Sequence, residues 1–123
     1  MGPDDPRNDP GLEVLLTLDG EQFYLDGGFW TKIEAHRVAP GPHIPHGLRY
    51  SLTLHDQHNQ RVLGYDNAHA VDTHRPRFAA RRLAWDHIHR KNRVTAYEFK
   101  SAGQLLEDFW SDVNKILDAE NQP

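Results

Sequence analysis

The sequence predicts an α+β domain: a mostly antiparallel sheet of about five or six strands with one C-terminal amphipathic helix packed on one face. Three observations carry that prediction. The stretches Phe29–Val38 and Leu48–His55 alternate apolar and polar residues at period two, as half-buried strands do. Turn signals separate the apolar runs at hairpin distance: Asp19-Gly20, Asp26-Gly27-Gly28 and the polar stretch Asp56–Gln60. From Ser101 onward the period changes, and Leu105, Leu106, Phe109, Val113, Ile116 and Leu117 fall on one helical stripe.

Taken in order, residues 1–11 read as a disordered leader, because MGPDDPRNDPG holds three prolines and several acids and nothing to bury. Residues 12–120 form a single domain, with a basic, His-rich loop at 68–84. Leu12–Leu18 reads as a strand, with Leu12, Val14, Leu16 and Leu18 on one face. Gln22–Leu25 is a short strand. In Phe29–Val38, the residues Phe29, Thr31, Ile33 and Ala35 face one way, and Trp30, Lys32, Glu34 and His36 face the other. The prolines and glycines of Ala39–Gly47 make an extended loop. Leu48–His55 turns Tyr50, Leu52 and Leu54 inward, and Arg61–Tyr65 returns as the partner of a hairpin. Ala68–Leu83 shows neither period. Ala84–Arg90 alternates again, and Thr95–Lys100 is a last short strand. Ser101 is the N-cap of the final helix, with Gln104 in capping-box position.

Composition narrows the chemistry. Cysteine is absent, which removes disulfides, thiolate metal sites and thiol nucleophiles and fits a cytoplasmic protein. No apolar run is long enough for a membrane span. The formal net charge is −4, yet it is unevenly spread. Between His74 and Arg93 seven Lys and Arg stand against one acid, Asp86, whereas from Gln104 onward five acids stand against Lys115. A basic middle of this kind suits a polyanion or an acidic partner.

Within that middle, two short clusters suggest catalysis. One is Asp66, Asn67 and His69, which follow a strand; Asn67 is expected as a structural turn residue. The other is Asp86, His87 and His89, where an H-x-H pair on a strand puts both imidazoles on one face. Histidine titrates near neutral pH, so His69, His87 and His89 with Asp66 are candidates for general acid–base work on a phosphodiester. RNA brings its own nucleophile, the 2′-hydroxyl, and then needs only a base, an acid and cations. Lys32, Arg81 and Arg82 are the candidate phosphate ligands. Tyr65 and Trp85 are the candidates for stacking a base. The H-x-H pair with Asp66 and His69 could instead ligate a metal, although no fixed spacing specifies one. His43, His46, His55 and His58 read as surface residues.

The order of these pieces resembles the TumE family, toxins of type II toxin–antitoxin pairs. The resemblance runs from about Leu12 to Leu117. It rests on Tyr65-Asp66-Asn67-Ala68-His69, on Asp86-His87-x-His89, and on Leu105-Leu106-x-Asp108-Phe109-Trp110. It implies a growth-inhibiting protein neutralised by a cognate antitoxin, typically a helix-turn-helix DNA-binding protein. The expected activity is metal-independent ribonuclease action with RNA as substrate, no cofactor and no membrane partner, with a homodimer as one open arrangement. Two other readings stay open. One is a non-enzymatic binding module whose basic loop docks an acidic partner, and the other is a metal-dependent hydrolase using His87 and His89.

Overall fold

The computed structural model describes residues 9–42, 44–67, 86–91 and 93–120. Six strands form one sheet in the order β1-β2-β3-β4-β5-β6, each antiparallel to the next. They are β1 (Gln22–Tyr24), β2 (Trp30–Arg37), β3 (Leu48–His55), β4 (Arg61–Asp66), β5 (His87–Arg90) and β6 (Arg93–Ala96). Among the described residues the α-helices are α1 (Pro10–Thr17) and α2 (Ala102–Glu120). This is the α+β class that the alternating runs and the C-terminal stripe predict.

The first element is a correction. Leu12–Leu18, expected as a strand, is helical as far as Thr17. The run LEVLLTL satisfies both periods, because Leu12, Leu15 and Leu16 are as apolar as Leu12, Val14 and Leu16. Asp9-Pro10 decides between them. Proline at the first helical position has its φ preset and lacks only an N–H that a helix start leaves unpaired. The outcome shows in burial: Leu15 is 0 % exposed, while Val14 is 53 % exposed.

Asp9, Pro10 and Gly11, expected in the leader, belong to the fold, and residues 1–8 lie outside the described residues. The Asp9 carboxylate accepts hydrogen bonds from the backbone N–H of Ala102 (2.7 Å) and Gly103 (3.4 Å). These are orphan donors of the first turn of α2, and the N-terminal end of that helix favours a negative charge. Ser101 also caps α2 as expected, its Oγ accepting from Gln104 N at 3.0 Å. The Gln104 side chain does not close a capping box; its Nε2 donates to Asp108 Oδ1 at 2.8 Å.

Both helices lie on one face of the sheet. Leu15 from α1 and Leu105, Phe109 and Val113 from α2 share a core with Ile33, Ala35, Tyr50, Leu52, Leu54, Leu63, Tyr65 and Ile88. Burying each of the larger side chains stabilises the fold by ~1.5–3 kcal/mol. Trp110 sits at the stripe's edge and packs edge-on against Phe23 and Phe109. The last strand starts earlier than expected, at Arg93. Arg90 pairs with Arg93, so the connection is a two-residue hairpin, and Lys91 takes the positive φ (54°) such turns demand. Among the described residues no helix is long and apolar enough to cross a membrane.

Candidate functional site

With the helices on one face, strand alternation sends every second side chain to the other, outer face. The register reads out that face as cross-strand rows. One row is Tyr24, Trp30, His55 and Arg61. The next is Gln22, Lys32, Thr53, Gly64, His89 and Val94. A third is Glu34, Ser51, Asp66, His87 and Ala96, and a fourth is His36 and Arg49. The outer face therefore gathers most of the polar, chemistry-bearing side chains of the sheet.

Three residues singled out by sequence meet on this face. His89 Nε2 lies 3.3 Å from Asp66 Oδ2. An ionised carboxylate only accepts, so in the neutral ring that nitrogen carries the proton and Nδ1 the lone pair. The His87 ring is the next imidazole along the same strand face, with ring centroids 6.3 Å apart and planes tilted by 49°. The two rings differ in access. His87 is 3 % exposed, whereas the His89 side chain is 22 % exposed, so a ligand approaching this face meets His89 first.

Arg61 joins this group, and sequence reasoning missed it. Register between β3 and β4 slips at Leu54/His55, which turns Arg61 to the outer face opposite His55. Its side chain then lies across Gly64. A Cβ at Gly64 would sit 3.4 Å from Arg61 Cδ and 3.7 Å from Nε and Nη1. Gly64 is the direct cross-strand neighbour of His89, so a guanidinium is stationed beside the His89–Asp66 pair. No sequence signal marks this, because it depends on a bulge and on a register between strands far apart in the chain.

Lys32 lies in the same row as His89, separated from it by β3 and β4, and pairs with Glu34 at 3.0 Å. Tyr65 does not fit the stacking role expected of it. It is 2 % exposed on the helix side, its ring edge-on to Tyr97 and Phe109 and its hydroxyl bonded to Asp112. Burial and that carboxylate push its ionisation well above the usual tyrosine range. Asn67, expected as a turn residue, is buried, its Oδ1 accepting from Tyr50 N at 3.0 Å and its Nδ2 donating to Leu48 O at 2.7 Å. It thereby continues the β3–β4 pairing beyond the last strand residue. His69, Arg81, Arg82 and Trp85, with the rest of the basic loop at 68–84, lie outside the described residues.

Asp86 belongs to the opposite face, one residue of alternation away from His87. Its carboxylate, 3 % exposed, accepts from Tyr50 Oη at 2.6 Å and from His46 Nε2 at 3.0 Å and 3.2 Å. Leu48 N–H donates to His46 Nδ1 at 3.2 Å, which fixes the proton on Nε2. His46 is thus no free surface histidine; it ties the proline-rich loop to the start of β5 and stacks near Phe99, ring centroids 4.0 Å apart. His55 also departs from the surface expectation, since it lies on β3 against Trp30. The acidic helix is similarly engaged at the sheet's far edge: Asp112 pairs with Arg90 at 2.7 Å, and Asp108 accepts from Tyr97 Oη at 2.6 Å. Among the described residues no three His, Asp or Glu side chains converge as a metal ion requires.

Comparison with known proteins adds one match. The family model described as Toxin TumE covers residues 13–117 of the chain. No curated protein and no solved structure matches it.

Proposed function

This chain belongs to the TumE toxin family, and from that premise we propose that it arrests growth by cleaving RNA without a metal ion. The observation that carries this reading is the His89–Asp66 pair, 3.3 Å apart on a face that also holds His87 and Arg61. His89 Nδ1 takes the proton of the 2′-hydroxyl, whose oxygen then attacks the adjacent phosphorus. Asp66 is a positioning residue: it holds the His89 tautomer and balances the imidazolium that forms. Arg61 meets the charge that develops on the phosphoryl oxygens, where a planar two-pronged donor is well matched. His87 returns a proton to the departing 5′-oxygen. At 3 % exposed, His87 is the less accessible of the two rings. The cognate antitoxin is read as a helix-turn-helix protein in the cytoplasm that masks the basic, histidine-rich side of the chain.

The reading is tested by inducing the chain in cells and by incubating the purified protein with labelled RNA in chelator. Growth arrest and chelator-resistant cleavage are expected from the parent; His89→Ala should relieve the arrest and cleave roughly 10²-fold or more slowly. Folded protein that leaves both free and ribosome-bound RNA intact overturns the proposal. Cleavage lost on chelation and restored by one metal would instead favour metal-assisted use of the same histidines.

A further inference from the structure

The outer face carries a second feature that the acid–base chemistry does not use. Trp30 and His55, opposite each other on β2 and β3, stack with ring centroids 4.0 Å apart and planes 11° from parallel. The indole is pinned in place, its Nε1 donating to Asn59 Oδ1 at 3.0 Å. Asn59 holds a left-handed turn conformation (φ 63°) in the β3–β4 connection. Directly beyond Trp30 in the same row stands Tyr24, 79 % exposed although it is aromatic. Directly beyond His55 stands Arg61. Lys32 flanks the row from the next position on β2, with 42 % of its side chain exposed despite its pairing with Glu34. Burial holds the His55 ring toward its neutral form, and the positive charges of Arg61 and Lys32 act in the same direction.

A core needs none of this. Three rings in one row of the outer face, Tyr24 exposed and Trp30 and His55 half-buried, with a cation at the end and another alongside, match the chemistry of a single nucleic-acid strand. Bases stack on the rings, and phosphates meet the cations. A paired helix keeps its bases inside the duplex and offers nothing to those rings. We propose that Tyr24, Trp30 and His55 form a stacking platform for unpaired bases, with Lys32 and Arg61 as its phosphate contacts. The ligand class rests on the RNA-directed reading above, while the platform itself does not depend on cleavage. Two strand spacings across and two residues along separate His55 from His89, roughly 12 Å. A strand lying on the platform therefore runs toward the His89–Asp66 pair, and Arg61 serves both places. The platform selects single-stranded substrate and sets its direction across the sheet.

The test uses the full chain carrying His89→Ala, so that RNA is bound without being cut. Fluorescence anisotropy reads affinity for a labelled single-stranded RNA and for the same strand annealed to its complement. The single strand is expected to bind more tightly. Adding Trp30→Ala is expected to weaken it about tenfold or more, the size of one lost base–aromatic stack. Trp30→Phe, which keeps a ring, retains most of the affinity. His55→Ala gives a second removal that leaves the indole in place. Lys32→Ala and Arg61→Ala each flatten the salt dependence by about one phosphate contact. Equal affinity for single strand and duplex overturns the proposal. So does unchanged single-strand affinity in folded Trp30→Ala and His55→Ala, whether or not binding of a partner protein then falls. Ring-dependent binding by a chain that cuts no RNA would leave the platform standing and remove the cleavage reading. Cleavage indifferent to the rings would do the reverse.

Discussion

Gly11 and Gly103 face each other where α1 meets α2, and the two should respond oppositely to the same substitution. A Cβ on Gly11 would fall 2.4 Å from Gly103 Cα, 2.5 Å from its N and 3.2 Å from the Ala102 carbonyl carbon. These are backbone atoms of a capped helix start, so no side chain can swing aside. Restoring an ordinary contact means moving α1 away by about 1 Å, which also lengthens the Asp9 cap. Overpacking of this kind costs ~1–3 kcal/mol, and loss of a cap adds ~1 kcal/mol. Replacing glycine inside a helix returns ~0.5–1 kcal/mol. Gly11→Ala should therefore destabilise by ~1–3 kcal/mol once these opposing effects are combined. A Cβ on Gly103 instead meets nothing nearer than Asp9 Oδ1 and Gly11 Cα, both at 3.8 Å. There the helix-propensity gain stands alone, and Gly103→Ala should stabilise by ~0.5–1 kcal/mol. Urea unfolding of both variants gives the signs directly. With a slope of ~1–3 kcal/mol per molar, Gly11→Ala should lower the midpoint by about 1 M and Gly103→Ala should raise it. A neutral Gly11→Ala, or equal losses in both, would refute the close α1–α2 approach and with it the helical reading of residues 10–17.

Tyr50→Phe removes a 2.6 Å donor from the buried Asp86 carboxylate, and thermal melting should show a loss of ~1–3 kcal/mol. Stability should also fall as pH drops below the ordinary histidine value of about 6.5. Burial depresses the His55 proton affinity in the fold, so the unfolded chain takes up a proton that the folded chain refuses. Urea midpoints between neutral and mildly acidic pH check this, and His55→Gln should show a shallower decline than the parent. Asp66→Asn should leave substrate binding near the parent's while lowering single-turnover cleavage, on the order of 10²-fold or more if its effect on His89 equals loss of the base. A rise in KM at constant kcat would show that Asp66 merely supports binding.

How much of this was legible depended on how each segment meets solvent. β2 and β3 read within one residue of their ends because one face is core and the other polar, so alternation is clean. The stripe Leu105–Leu117 read correctly for the same reason at the helical period. The leucine-rich Leu12–Leu18 carries no such contrast, and only Asp9-Pro10 distinguishes the helix. The candidate site divides the same way. H-x-H on a strand puts His87 and His89 on one face by local geometry alone. Their meeting with Asp66 needs the β4–β5 register, and Arg61 needs a bulge as well; neither is a local property of the chain. Sequence alone groups Asp86 with the histidine cluster and puts His46 on the surface. Alternation turns Asp86 to the helix side, where burial makes a paired donor necessary.

The most direct measurement is of the ends left on cleaved RNA. Labelled RNA is incubated in chelator with the parent chain and with His89→Ala, and the product termini are identified. Attack by the 2′-hydroxyl with His89 as base predicts 2′,3′-cyclic phosphate and 5′-hydroxyl ends from the parent. It also predicts no cleavage when the scissile nucleotide is 2′-deoxy, and a rate lowered by roughly 10²-fold to 10⁴-fold in His89→Ala. Products with 5′-phosphate ends, undiminished cutting at a 2′-deoxy site, or full activity in His89→Ala would contradict the account.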